Sequence, residues 1–189
     1  CMRDRGCRPQ KLDLRKTGGR LVRRLSKNRV AKFWVGDVKG CRLSQEEIAH
    51  NVAFGMLLGS YRFDKYFTRK PAEDYPVLEK VYFDSAEKDK ISLGDFVDMA
   101  SLANAVRYAR DLVNEPANFL TPEAFASDVE RLRYLKLDVE ILDERELRKQ
   151  DFNMLLEVAK GSEARPRVGV MIWHGDKRRK EMDAVLVGK

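Results

Sequence analysis

Residues 109–122 read Ala-Arg-Asp-Leu-Val-Asn-Glu-Pro-Ala-Asn-Phe-Leu-Thr-Pro, and this stretch divides the chain. Ahead of it a helical pattern runs from Leu93. Leu102, Val106, Ala109 and Val113 are spaced four, three and four residues apart, which predicts a buried seam on one helix face. Pro116 ends that helix, because the residue before a proline is pushed out of helical geometry. Asn114, Asn118 and Thr121 are polar side chains able to bond backbone groups freed at the break. Thr121 followed by Pro122 predicts a new helix, with Thr121 as its N-cap and proline at the first helical position. The stretch therefore reads as a hinge over 111–121.

Downstream, Phe125, Val129 and Leu132 continue one apolar helix face. Leu137–Leu142 alternates as a strand does. Asp143 and Glu146 form a cap of box type and predict a short helix to about Gln150. Phe152–Ala159 predicts one or two further helical turns, and Lys160–Pro166 a loop. Arg167–Trp173 is a strong strand candidate, followed by a charged turn over 174–180. Asp183–Val187 is a short apolar run that suits a buried parallel strand. Gly188 and Lys189 follow it directly.

Upstream, residues 1–10 carry no periodicity and are expected to be unstructured. Leu12–Ser26 predicts a helix with Leu14, Leu21, Val22 and Leu25 on one face and basic side chains on the other. Gly18 and Gly19 each cost that helix about 1 kcal/mol relative to alanine, so they mark either a close contact or a weak helix. Arg29–Val35 is a strand candidate, then a turn over 36–40. Ser44 and Glu47 form a capping box for a helix that places Ile48, Val52 and Met56 on one stripe. Gly59–Tyr75 mixes aromatic and basic residues, read as a long connection anchored by its rings. Pro76–Asp84 is a second strand candidate, and a charged loop follows over 85–90. Helices alternate with strands, so the fold class is α/β. The expected division is residues 1–10, a mixed α/β domain over 11–110, the hinge over 111–121, and the opening of a second α/β domain over 122–189.

The chain has 189 residues, 43% hydrophobic and 35% charged, with a mean hydropathy of -0.51. It contains no apolar run near twenty residues, which excludes a membrane-spanning helix. Charge from Arg3 onward, without an apolar stretch behind it, does not fit a secretory signal. Cys1, Cys7 and Cys41 are odd in number and fit no zinc or disulfide spacing, so they read as reduced thiols of a cytoplasmic protein. The net charge is +7. About a dozen Lys and Arg fall between Arg3 and Lys32, against Asp4 and Asp13. That basic 3–32 segment carries an alternative reading, a nucleic-acid-binding module or non-catalytic remnant held to phosphates by charge. No aromatic residue interleaves the cluster before Phe33, so no base-stacking platform is visible there.

Isolated constellations are weak. His50 lies off the apolar stripe of its helix without a histidine or carboxylate at i+4, and reads as a surface histidine. His174 and Asp176 lack a nucleophile on a strand-turn-helix elbow, and read as a charged loop. Gly188-Lys189 resembles the end of a phosphate-binding loop, but position 183 is Asp and no Ser or Thr follows. Asp138 and Glu140 are two apart on a strand, on one face, and both suit solvent.

Longer stretches carry more. ARDLVNEPANFLTPEAFA resembles the linker between the N-terminal and catalytic domains of the leucyl (cytosol) aminopeptidases. VEILDERELRKQDFNMLLEVAKGSEARPRVGVMIW is similar to the first strand, helix, loop and second strand of that catalytic domain, and DAVLVGK to the strand that delivers the family's first metal-ligating lysine. EEIAHNVAFGMLLGSYRFDKY resembles the N-terminal-domain helix and the segment after it. The resemblance runs in continuous register over roughly residues 11–189.

It implies a cytoplasmic, metal-dependent exopeptidase that releases N-terminal amino acids from peptides. It also implies two divalent ions, zinc or manganese, that share an activated water, and a hexameric assembly. Carried over by position, Lys189 is a metal ligand. An amine binds metal only when neutral, so such a site must depress its pKa. The family continues past this lysine with Phe-Asp-Thr-Gly-Gly, a catalytic lysine and a later Asn-Thr-Asp-Ala-Glu-Gly-Arg. None of these lies within the 189 residues. The resemblance thus makes the chain the N-terminal portion of such a protein, with no catalytic residue of its own and inactive by itself.

Overall fold

The computed structural model describes residues 10–36, 42–69, 71, 75–85, 91–92, 94–175, 182 and 184–188. Cys1, Cys7, Cys41 and Lys189 lie outside them, as do most of the turn expected over 36–40 and the loop expected over 85–90. The elements are α1 (Lys11–Arg24), β1 (Val30–Val35), α2 (Gln45–Gly59), β2 (Lys80–Ser85), α3 (Gly94–Asn114), α4 (Pro122–Arg131), β3 (Asp138–Leu142), α5 (Glu144–Lys149), α6 (Asn153–Ala159) and β4 (Val168–Ile172), with a 3-10 turn at Leu132–Leu135 after α4. The class is α/β. The chain forms two compact units, Cys1–Asn114 and Glu115–Lys189.

In the first unit β1 and β2 run parallel, in a register that pairs Val30 with Lys80 and Val35 with Ser85. Parallel neighbours need a crossover, and α2 lies within it. One sheet face is apolar. Phe33 and Phe83 are register partners whose rings stack at 5.5 Å. They pack with Val22 of α1 and with Val52 and Met56 of α2. A second cluster joins Val35 to Ile48 and Ala49. Each such fully buried aliphatic side chain contributes about 2 kcal/mol. The opposite face carries Trp34 and Tyr82, both exposed.

α1 and α2 meet backbone to backbone. A Cβ on Gly18 would collide with the Val52 carbonyl, and one on Gly55 with the Arg15 carbonyl. The two glycines of α1 therefore mark a close contact. Starts of elements follow their caps. The Ser44 hydroxyl accepts from the Glu47 amide at 3.1 Å, and the Glu47 carboxylate accepts from the Ser44 amide at 3.1 Å.

Two expectations for this unit fail. The seam on α3 is not buried: Leu102 is 55% exposed and Val113 84% exposed, with Ala109 exposed too. The buried face of α3 instead centres on Ala103, fully buried, flanked by the half-buried Phe96, Met99, Ala100, Arg107 and, alone of the predicted seam, Val106. A small residue lets the helix lie close on its neighbour, and a count of large apolar residues passes over it. His50 is not at the surface. It is buried, lies tilted against Phe96 with ring centroids 5.6 Å apart and bonds the Ser92 carbonyl at 2.8 Å. α2 is apolar nearly all round, so leaving its main stripe does not bring a residue to solvent.

In the second unit the Thr121 hydroxyl accepts from the Ala124 amide at 3.2 Å, and Pro122 occupies the first helical position. Ala126 and Val129 are the buried residues of α4, while Phe125 is exposed. β3 and β4 pair antiparallel, Asp138 with Ile172 and Leu142 with Val168. Gly169 of β4 sits under α4, where a Cβ would stand 3.3 Å from Val129 Cγ1. Leu142, Leu147 and Leu156 tie β3 to α5 and α6. The Asp143–Glu146 box forms with both bonds in place, at 2.8 and 2.9 Å. The buried parallel strand expected at Asp183–Val187 is absent. Residues 184–188 form no strand, and Val185, Leu186 and Val187 are 72–97% exposed. An apolar run becomes a buried strand only beside a sheet neighbour, and none pairs with it among the described residues.

Candidate functional site

The residue singled out for metal chemistry, Lys189, lies outside the described residues. The approach to it is exposed and irregular through Gly188. Among the described residues no three His, Cys, Asp or Glu side chains converge in a manner that could hold a metal ion. The donor set for two divalent ions is therefore not met by the described residues, and no reaction step follows from them.

The two histidines have other tasks. A carbonyl oxygen only accepts, so His50 Nε2 carries a proton and donates to Ser92. The same residue is gripped twice more: its amide donates to Glu46 Oε1 at 2.7 Å, and its hydroxyl accepts from the Gly94 amide at 3.1 Å. His50 and Glu46 thus fasten the start of α3 to α2. His174 Nε2 lies 3.0 Å from Asp138 Oδ2 on the neighbouring strand, and both side chains are at least half exposed. It joins β3 to the end of β4. Asp138 and Glu140 both face solvent.

The basic α1 residues divide into engaged and free. Lys11 pairs with Glu47 at 2.9 Å. This bond, with the Ser44 amide, holds the Glu47 carboxyl below its ordinary value. Arg15 donates from Nε to Asn51 Oδ1 at 2.9 Å, and its guanidinium lies 4.9 Å over the Phe54 ring. Asn51 in turn donates to the Glu47 carbonyl at 2.8 Å, so this buried amide is satisfied on both sides. Lys16 and Arg20 make no side-chain bond among the described residues.

A cluster that sequence reading missed closes the last turn of α3. The Tyr61 hydroxyl donates to Asp111 at 2.9 Å and accepts from Asn114 Nδ2 at 3.0 Å, and Arg110 lies 4.0 Å over the ring. Loss of water around the hydroxyl raises the phenol above its usual value, aided by Asp111 and opposed by Asn114. Tyr61 stands about fifty positions from its partners, and no local pattern announces the pairing.

Residues 107–189 match the profile of the cytosol aminopeptidase family, catalytic domain. The "Probable cytosol aminopeptidase" of Rhizobium johnstonii is 38% identical over 178 residues, which is 94% of this chain and 35% of that protein. The protein of the same name from Brucella melitensis is 44% identical over 142 residues, 75% of this chain and 29% of that one. Among solved structures, the bottromycin maturation enzyme BotP superposes with a TM-score of 0.71 at 26% identity, over 88% of this chain and 35% of that one. The same enzyme in complex with Mn gives 0.68 at 28% identity, over 85% and 32%. A tomato leucine aminopeptidase mutant shares the fold, with a TM-score of 0.66 at 20% identity over 84% and 32%. The chain spans about a third of the length of the curated relatives it matches.

Proposed function

We propose, on the premise that residues 107–189 belong to the catalytic domain of the cytosol aminopeptidase family, that the complete protein is a metal-dependent exopeptidase releasing N-terminal amino acids from peptides. The observation that carries this reading is the continuity of the match. It crosses from the first unit through Thr121 into the second, at 38% identity over 94% of the chain. In this reading Lys189 is a metal ligand, and two divalent ions, zinc or manganese, supply the activated water. Manganese has support from the related enzyme solved with Mn. Cytoplasmic location and assembly as a hexamer belong to the same proposal.

A division of labour belongs to the same proposal. The first unit, to about residue 110, serves assembly and access, the hinge over 111–121 connects, and 122–189 opens the catalytic domain. With no donor set among the described residues, the 189-residue chain alone is expected to be inactive. The test is hydrolysis of a leucyl chromogenic substrate with manganese or zinc added. The complete protein should turn over and lose activity with a chelator, and Lys189→Ala should lose bound metal by elemental analysis. Chelator-sensitive turnover by the 189-residue chain would overturn the division of labour. A complete protein that neither binds metal nor cleaves the substrate would overturn the function.

A further inference from the structure

The second unit holds a small cavity of about 290 Å³ whose lining side chains are all charged. Asp143, Glu144, Arg145 and Arg148 come from α5 and its cap, Arg165 and Arg167 from the segment that enters β4. Each element delivers its two arginines by its own period. Arg145 and Arg148 are three apart on a helix and so lie on one side of it. Arg165 and Arg167 are two apart, on backbone that runs irregularly into β4. Pro166 between them pushes Arg165 toward extended geometry, and in an extended chain alternate side chains share a face. The cluster of Leu142, Leu147 and Leu156, with Val168 packed against it, brings the two pairs together.

The carboxylates of the cavity are already engaged. Asp143 accepts from the Glu146 amide at 2.9 Å as the cap of α5, and Glu144 accepts from Arg148 Nη2 at 2.7 Å. The Glu146 amide first, then the Arg145 amide and the charges of Arg167 and Arg145, hold the Asp143 carboxyl below its ordinary value. Arg167 is fixed in place, its side chain 18% exposed, with Nη2 3.5 Å from Glu123 of α4 and Nη1 donating to the Pro166 carbonyl at 2.9 Å. Arg145 and Arg165 make no side-chain hydrogen bond or ion pair among the described residues. Four arginines against two carboxylates leave a charge of +2, which a dianion balances. The volume lies at the small end of the range of about 300–1,000 Å³ usual for ligand pockets, with room for a compact headgroup. No ring and no apolar side chain lines the cavity, so nothing in it would hold a base or a hydrocarbon tail. All four cations are arginine, whose planar fork bonds two oxygens of a phosphate at once. A carboxylate offers its two oxygens in one plane. A phosphoryl group offers three acceptor oxygens, spread to meet arginines that arrive from two elements. We propose that this arginine cavity binds the phosphoryl dianion of inorganic phosphate or of a small phosphate monoester.

The test is isothermal titration calorimetry of the 189-residue chain with inorganic phosphate and, separately, with glycerol 3-phosphate, each against sodium chloride at matched ionic strength. One saturable site is expected for both phosphates and none for chloride. Tighter binding of inorganic phosphate would identify the free anion as the ligand, and tighter binding of glycerol 3-phosphate a monoester. Arg165→Gln should weaken both at least about tenfold, the size of one charge-assisted hydrogen bond. Arg165→Lys keeps the charge without the fork and should recover only part of the loss. Lys149→Gln makes the same charge change on α5 outside the cavity, and should leave the affinity within about twofold, because solvent and salt screen an exposed charge. Circular dichroism checks that each variant folds. If Arg165→Gln fails to fold, Arg145→Gln should show the same loss. Equal losses in Arg165→Gln and Lys149→Gln would overturn the cavity as the site. Full recovery in Arg165→Lys, or displacement of phosphate by an equal concentration of succinate, would overturn the phosphoryl group as the ligand. Absence of saturable binding of either phosphate up to about 10 mM would overturn the proposal as a whole.

Discussion

Gly18 of α1 lies against the Val52 carbonyl of α2 with no room between them for a β-carbon. The contact repeats at Gly55, which lies against the Arg15 carbonyl, and at Gly59, where a Cβ would stand 2.8 Å from Gly19 Cα. This pairing sets the spacing of the first unit's two main helices. It predicts opposite results for neighbouring substitutions. Gly18→Ala gains about 1 kcal/mol in helix propensity but must push α2 away, at a cost of about 1–3 kcal/mol or more. It is expected to destabilise. Gly19→Ala meets only the Gly55 carbonyl at 3.6 Å, an ordinary contact, and is expected to be neutral or stabilising by up to about 1 kcal/mol. Urea unfolding of both variants decides the matter: equal effects would show that the contact is looser than described.

The face of α3 offers a second contrast. Leu102→Ser changes a side chain that is 55% exposed and should alter stability by less than about 0.5 kcal/mol in the 189-residue chain. Ala103→Leu forces three more heavy atoms into a fully buried place and should cost about 1–3 kcal/mol. Thermal melts of the two proteins would rank them. The reverse ranking would restore the seam read from Leu102, Val106, Ala109 and Val113.

His50 predicts a local effect. His50→Ala removes the donor to the Ser92 carbonyl and the ring beside Phe96. The loss should be about 1–3 kcal/mol, with the amides at the start of α3 exchanging faster than those at its end. Uniform exchange along α3 in the variant would mean that His50 does not pin that end.

Acid should loosen two helix starts. Glu47 is held below its ordinary pKa by Lys11 and the Ser44 amide, and Asp143 by the Glu146 amide. A carboxylate whose folded pKa is depressed stabilises the fold above its unfolded value, and that contribution is lost as pH falls through the folded value. The urea midpoint is therefore expected to hold from neutral pH to about pH 5 and to fall below about pH 4. Glu47→Gln with Asp143→Asn should flatten the fall. Both groups are largely solvated, so salt should weaken the Lys11–Glu47 part. An unchanged acid profile in the double variant would place the loss on other carboxylates.

Much of this was legible because its causes are local. Ser44, Thr121 and Asp143 cap helices through bonds that reach three residues along the chain, so residue type and spacing suffice to find them. Val30–Val35 and Val168–Ile172 are strands because branched and aromatic side chains cluster there. Lys189 was named by resemblance to a family; the likeness rests on 38% identity over 94% of the chain, and Lys189 itself lies outside the described residues.

The linear order of residues thus accounts for the helices and strands, their caps and the likeness to the cytosol aminopeptidases, since each rests on neighbours within a turn or on a long continuous match. Contacts across tens of residues settled the rest: that Ala103 and not Leu102 faces inward, that His50 is buried, and that Arg107 and Arg110 stand with the α1 cations around one groove. Periodicity counts large side chains on one helix and is blind to a small residue that admits a neighbouring helix. It is equally blind to charges that come together only after α1 and α2 have closed on their glycines. The exposed run at Val185–Val187 follows the same rule, because a strand exists only with a partner to accept its backbone hydrogen bonds.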